Sequence, residues 1–366
     1  MSNKDKSPSL IDIREDDLLA LSAEVLDTLL RDHTTGRNIF WATHDYEALG
    51  PDYDYHSEIL PHLITGEHGM VIRPRVLKSK EQQTYRAKDM AEVFTPSWVC
   101  NAQNNLVDEA WFGRKDVFNT EVDADLKSAS RESGISNPLQ RSCHTWQATT
   151  GKIEFPERLR VGEQSSGMGK TWKDYVRATR LEMACGEAPY LVSRYDATTG
   201  EPIPIERRIG LLDRKLRVVS ENVGTSGEWL EWAQTAYKNI YGFEWQGDNL
   251  LLAREALLWT FIEYYQAKFQ KAPMLKSINY IAYIISWNLW QMDGLKGIVP
   301  DSCRHGVTEK VQTLFGEEEQ MVHCPGCQQD DIRRHNGTYC LIRDWGNKDP
   351  RTGENNRKIR FIDLMK

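Results

Sequence analysis

Three acidic residues, Glu182, Glu244 and Asp293, each fall at the end of a short strand candidate. In Glu182-Met183-Ala184-Cys185-Gly186-Glu187-Ala188, the acid ends a strand and a glycine permits a tight turn before the next helix. Such a turn brings backbone N–H groups close to a ligand and sets a carboxylate beside it. In Tyr241-Gly242-Phe243-Glu244-Trp245, the acid ending a second strand can accept a bidentate pair of hydroxyls. In Asn288-Leu289-Trp290-Gln291-Met292-Asp293-Gly294, a third acid is placed to accept an amino group. Taken singly, each block is equally a plain strand-to-helix corner. Three acids at the carboxyl ends of successive parallel strands would line one edge of a sheet, where open α/β folds bind ligands. Glu244 follows Glu182 by 62 residues (244 − 182), against about 20 in the dinucleotide-binding fingerprint. That fingerprint therefore does not apply, and an insertion around residues 196–227 is expected to fill the difference.

A second constellation is sulfur-rich. Cys303, Cys324, Cys327 and Cys340 are spaced C-x20-C-x2-C-x12-C, with His305, His323 and His335 nearby. Two thiolates around a short Pro325-Gly326 turn suit tetrahedral zinc, and four would leave no open position, so a structural metal is expected; free thiols are the alternative. Cys100, Cys143 and Cys185 read as buried or bystander thiols. Seven cysteines without an apolar leader at the N-terminus fit a reducing, cytoplasmic setting. No run of eighteen apolar residues is present, so no membrane partner is expected.

The elements that must position these residues can be read from periodicity. Leu18, Leu21, Val25 and Leu29 recur at helical spacing within Asp16–Arg31. Residues 32–69, broken by Gly36, Gly50 and Pro51, read as loops with short elements. Strands are expected at Leu181–Cys185, Ile240–Trp245 and Leu289–Gln291. Helices are expected over Asn249–Gln270, with Asp248 as N-cap, and around Ile278–Ile285. Strand, helix, strand at these lengths argues for a parallel sheet with crossover helices. Upstream, Thr95 and Pro96 suit the N-cap and first position of a helix. Residues 112–171, polar and poorly periodic, read as an insertion.

With 366 residues and a net charge of −7, the chain has no bulk basic field for nucleic acid. Contact with DNA must come from local patches. Arg73, Arg75, Lys78, Lys80, Arg86 and Lys88 form one candidate stripe, as a solvated surface or as phosphate contacts. Arg207, Arg208, Arg214, Lys215 and Arg217 alternate with Ile209, Leu211, Leu212 and Leu216, as an amphipathic element first and a nucleic-acid face second. Arg333, Arg334 and Arg343 would give charge to the cysteine-rich segment.

In this order, Phe94-Thr95-Pro96, the acidic Cys185-Gly186 turn, Tyr241-Gly242-Phe243-Glu244, and Asn288-Leu289 followed by Asp293-Gly294-Leu295 resemble the N6-adenine DNA methyltransferases of restriction-modification systems. The resemblance covers roughly residues 85–110 and 178–300. It implies a Rossmann-like fold that binds S-adenosylmethionine. Phe94, Thr95 and Pro96 would cover the methionine end, while Glu182, Ala184 and Gly186 would flank the amino-acid part. Glu244 would hold the ribose and Asp293 the adenine amino group, with Trp245 stacked on the adenine. Two departures stand out. Ala188 occupies the family's second glycine, and the catalytic Asn/Asp-Pro-Pro-aromatic tetrapeptide occurs nowhere in the chain.

The organisation expected is an N-terminal, mainly helical arm (1–90), an α/β methyltransferase core (91–300), a zinc-ribbon-like module (301–345) and a C-terminal strand or tail (346–366). The function implied is the cofactor-binding subunit of a DNA adenine-N6 methyltransferase. Double-stranded DNA and a second polypeptide carrying the catalytic tetrapeptide and target recognition would be its partners. A degenerate methyltransferase fold that binds DNA or protein without catalysis is the alternative, and a zinc-dependent adaptor a third.

Overall fold

A computed structural model describes residues 14–89, 92, 95–121, 146–156, 169–313, 316–348, 352–353 and 355–365. The polar residues 1–13, Phe94, and most of the expected insertion lie outside them. The chain is mixed helix and sheet. A short antiparallel pair, β1 (Asn119–Glu121) with β2 (Trp146–Ala148), lies within the expected insertion. The central sheet follows: β3 (Arg180–Met183), β4 (Ile240–Glu244) and β5 (Leu289–Gln291), parallel and in that spatial order. Register pairs Glu182 with Gly242 and Glu244 with Gln291, so the strand ends advance together along one edge.

The crossovers are helical. Between β3 and β4 run Leu211–Asn222 and Ser226–Tyr237; between β4 and β5 run Gly247–Phe269 and Leu275–Asn288. The first pair fills much of the 62-residue interval that the sequence left to an insertion. The Gly247–Phe269 helix is buried without a break from Gly247 to Leu258. Strands β4 and β5 and three neighbouring helices pack around it, which is why its apolar pattern has no single face. β5 is likewise buried at all three positions, as a parallel strand covered on both faces should be.

The N-terminal region packs into this core. Asp16–Arg31, expected as one helix, is two, Glu15–Leu21 and Ala23–Leu30, parted at the extended residue Ser22. Leu18, Leu26, Leu29, Trp41 and Ile59 are fully buried in the same apolar cluster as Leu250 and Ile281. Arg254, itself fully buried, donates to the carbonyl oxygens of Leu29 and Leu289 and so ties the second helix to the start of β5. Gly247 donates to the Trp41 carbonyl at 3.0 Å, and a Cβ there would stand 2.1 Å from the Phe40 oxygen. Only glycine lets the N-terminal segment cross the helix start so closely.

Beyond β5 come two antiparallel hairpins, β6 (Thr308–Thr313) with β7 (Gly316–Met321) and β8 (Leu341–Lys348) with β9 (Asn355–Arg360). Between them lies a short helix, Pro325–Gln329. No helix among the described residues is long and apolar enough to cross a membrane.

Candidate ligand-binding edge and metal centre

The turn after β3 has an unusual backbone. Ala184, Gly186 and Ala188 all have positive φ, at 57°, 53° and 61°. For alanine this left-handed region costs roughly 1 kcal/mol each, and such strain gathers at ligand sites. The position where the resemblance has glycine is thus held by Ala188 in the conformation that glycine favours, with its methyl group fully buried.

Glu244 holds this turn. Its Oε2 accepts from the Gly186 N–H at 2.8 Å, and its Oε1 from the Gln246 N–H at 3.4 Å. Burial raises its carboxyl above the usual range, against the lowering by the N–H groups of Gly186, Gln246 and Trp245. Glu182 is half-buried as a residue, but its carboxyl is enclosed, and Oε2 has no hydrogen-bond partner. Burial pushes it well above the ordinary carboxylate range and Glu244 adds to this, while the N–H groups of Tyr190 and Leu191 work the other way. Asp293 closes its own loop: Oδ1 accepts from the N–H groups of Leu295 (3.0 Å) and Lys296 (3.2 Å), and Lys296 Nζ lies 3.4 Å from Oδ2. Trp245 donates from Nε1 to the Tyr55 hydroxyl at 3.0 Å, an engagement with the N-terminal region.

Thr95 reaches the same turn, sharing a hydrogen bond with the Tyr190 hydroxyl. The expected helix start is displaced by one residue. Pro96 is the N-cap, the helix runs Ser97–Phe112, and no Thr95 or Pro96 side chain caps it. The cap comes from Asp196, whose Oδ2 accepts from the Ser97 N–H at 2.9 Å. Sequence reasoning missed this because cap and helix are 99 residues apart.

Asp248 is also not the N-cap expected of it. It lies inside the Gly247–Phe269 helix behind Gln246 and is fully buried. Its carboxylate accepts from Tyr46 (2.8 Å), Lys78 (3.1 Å) and Arg86 (2.8 Å). Burial would raise it, but Arg86 and Lys78 hold it well below the usual carboxylate range. Arg86 also pairs with Asp45 and Glu92. Two members of the basic stripe are therefore spent inside the molecule and do not face phosphates. Glu92, in the same network, also accepts from the Asn249 side chain at 3.1 Å.

In the cysteine-rich segment, four ligand atoms lie within 4.8 Å of one another: the thiols of Cys303, Cys324 and Cys327, and the His335 ring. Cys303 and Cys327 Sγ are 3.5 Å apart, and His335 Nδ1 is 3.5 Å from both Cys324 and Cys327 Sγ. Tetrahedral bonds of zinc length would separate two sulfurs by about 3.8 Å and a sulfur from a nitrogen by about 3.5 Å. This cluster could hold a metal ion. Cys340 is not one of its ligands. Its thiol is fully buried among Phe243, Trp290 and Met292 and donates to the Gln291 carbonyl at 3.3 Å, at the end of β5. The run into β8 takes Cys340 into that core, and His335, from the loop before it, fills the fourth position.

The knuckle is shaped for this. A Cβ on Gly326 would stand 2.7 Å from His335 Nδ1, so glycine is what lets the ring approach. The Asn336 N–H donates to Cys324 Sγ at 3.3 Å. Burial would raise the Cys324 thiol, but the N–H groups of Cys327 and Asn336 and the His335 ring bring it down to about 6. The centre is tied to the acidic edge: Val299 donates to the Thr338 carbonyl, and Cys340 to that of Gly297 (2.8 and 3.1 Å). The loop bearing Asp293 is thereby zipped to the residues that follow His335. No protein-family model matches the chain, and neither the curated proteins nor the solved structures contain a match to it.

Proposed function

We propose that the chain is the S-adenosylmethionine-binding part of a DNA adenine-N6 methyltransferase of a restriction-modification system, built on a Rossmann-like core and braced by a structural Zn2+ at Cys303, Cys324, Cys327 and His335. The observation that carries the reading is the enclosed Glu182 carboxyl. One of its oxygens lacks a donor, at a strained turn between Thr95 and Glu244. An unpaired buried acceptor costs about 1–3 kcal/mol, more if charged. A ligand that brings an ammonium group beside it would offset that cost.

In this reading Glu182, Ala184 and Gly186 flank the amino-acid part of the cofactor, covered by Phe94, Thr95 and Pro96. Glu244 retains acceptor capacity beyond Gly186 for the ribose hydroxyls. Asp293 offers Oδ2 toward the adenine amino group, with Trp245 alongside. When bound, S-adenosylmethionine supplies the methyl group; the residues of this chain bind, orient and exclude water. The polar group and aromatic that would hold a flipped adenine come from outside these 366 residues, in a second polypeptide that pairs with duplex DNA.

The degenerate, non-catalytic reading draws on the engagement of Glu244 by Gly186 and of Asp293 by its own loop. Calorimetric titration of S-adenosylmethionine into the zinc-loaded chain separates the two. One-to-one binding that Asp293→Ala and Glu182→Gln each weaken at least tenfold supports the cofactor reading. An absence of heat in the unaltered chain removes it.

A further inference from the structure

Members of two basic runs of this acidic chain are spent internally. Lys78 and Arg86 are bound to Asp248. Arg214 pairs with Asp108 at 2.6 Å, and Lys215 donates to the Val176 and Asn239 carbonyls. A third group of cations has no such engagement. Arg343 on β8 and Lys358 on β9 are direct cross-strand neighbours. Lys238 joins them from the end of the Ser226–Tyr237 helix.

All three sit over one set of rings. The Arg343 guanidinium lies 4.8 Å from the Trp287 ring centre, 5.4 Å from Trp345 and 5.5 Å from Tyr283. Lys358 Nζ lies 5.4 Å from Trp287, and Lys238 Nζ 5.2 Å from Tyr280 and 5.6 Å from Trp345. None of the three forms an ion pair among the described residues, whereas their neighbours Arg357 and Arg360 do, with Asp344 and Asp363.

Like charges directly opposite on paired strands repel. A ring orients a cation without neutralising it. His33, stacked on Trp287 at 3.9 Å, registers the resulting field: burial first, then Arg254, Arg343, Lys358 and Arg31, depress it to about 3. The face lies at the amino end of the sheet, since Lys238 precedes β4 and Trp287 precedes β5. The strand-end acids occupy the opposite edge.

We propose that Lys238, Arg343 and Lys358 form a docking face for the phosphate backbone of duplex DNA, independent of base sequence and remote from the acidic edge. This rests on the reading that the chain works on DNA, and it supplies the local patch that a net charge of −7 demands. The chain's own cations already cover the rings, and Trp287 is buried, so no open ring face is offered to a base. What the face presents is unneutralised charge, and phosphates with releasable counterions match it.

The test is fluorescence anisotropy of a labelled two-turn duplex with the full zinc-loaded chain across a salt series. Three phosphate contacts correspond to a slope of log K against log salt of about −2.7. The double variant Arg343→Gln/Lys358→Gln is expected to lose about 1.8 of that slope and to bind at least about tenfold more weakly at low salt. Arg343→Lys, which keeps the charge, should retain the slope. A duplex that does not bind the unaltered chain, or a double variant with an unchanged slope, overturns the proposal. Binding of poly-glutamate in place of the duplex overturns it in favour of an acidic protein partner. Cofactor titration of the unaltered chain separates the two ideas: absent heat with duplex binding that the double variant loses sinks only the cofactor reading, and cofactor heat with no duplex binding sinks only the docking face.

Discussion

The acidic edge and the cysteine cluster differ in how much of each site the chain completes by itself. At the cluster, three sulfurs and one nitrogen already stand at coordinating separations, with a backbone N–H on one sulfur and a glycine clearing the approach of the histidine. At the edge, all three acids are partly engaged by the chain's own N–H groups, and only Glu182 keeps an enclosed oxygen without a donor. A closed metal centre is a fold element whose ligands have one purpose. Acids on a ligand edge must hold a turn in shape and still accept a guest, so they are only half committed.

The largest effect that would break this contrast is loss of the metal. Cys327→Ala or His335→Ala should weaken zinc binding at least about 100-fold and unfold the 301–340 segment, measured by zinc content and proteolysis. Cys340→Ala should keep one zinc per chain, because Cys340 is a core residue. Loss of the metal in Cys340→Ala would restore the four-cysteine set.

That exchange of ligand shows how far the sequence reaches. The Cys324/Cys327 hook was legible because its members are neighbours in the chain. The fourth ligand depends on where the loop before β8 turns, and both Cys340 and His335 were chemically eligible. The strands were legible for a similar reason: β4 and β5 carry apolar runs closed by an acid, and the structure has them within a residue of the expected bounds. Side-chain fates were not. Asp248 has the type and position of an N-cap, yet Arg86, 162 residues away, takes it into an ion network. Asp196 caps a helix from 99 residues downstream. Contacts over such distances leave no periodic trace.

Next in size is that ion network. Asp248→Asn leaves Arg86 and Lys78 buried without their shared carboxylate and should cost about 3–5 kcal/mol in urea unfolding. A loss below about 1 kcal/mol would mean that Asp45 and Glu92 suffice for Arg86.

A smaller, pH-dependent effect is expected at the helix that begins the N-terminal region. Glu15 is buried against Glu255, and one Glu15 oxygen and both of Glu255 lack partners. Burial raises Glu15 from 4.5 to about 8. The folded state therefore holds a proton that the unfolded state has released, so stability is full below pH 4.5 and falls as pH rises toward 8. Glu15→Gln removes this slope, and its thermal midpoint should gain on the unaltered chain steadily from pH 5 to 8. Parallel curves would contradict the buried pairing.

The smallest effect sharpens the account of the edge. Ala184 is exposed at φ 57°, and Ala184→Gly should relieve about 1 kcal/mol of backbone strain without loss of packing. A destabilised variant would mean that the turn is not strained.

The most direct test of the central claim is hydrogen exchange of the zinc-loaded chain with and without S-adenosylmethionine, read at the amides of residues 184–191 and 293–299. Slower exchange in both segments on adding the cofactor, absent in Glu182→Gln, is the expected result. Unchanged exchange at the 184–191 turn in the presence of saturating cofactor would contradict the assignment of the acidic edge.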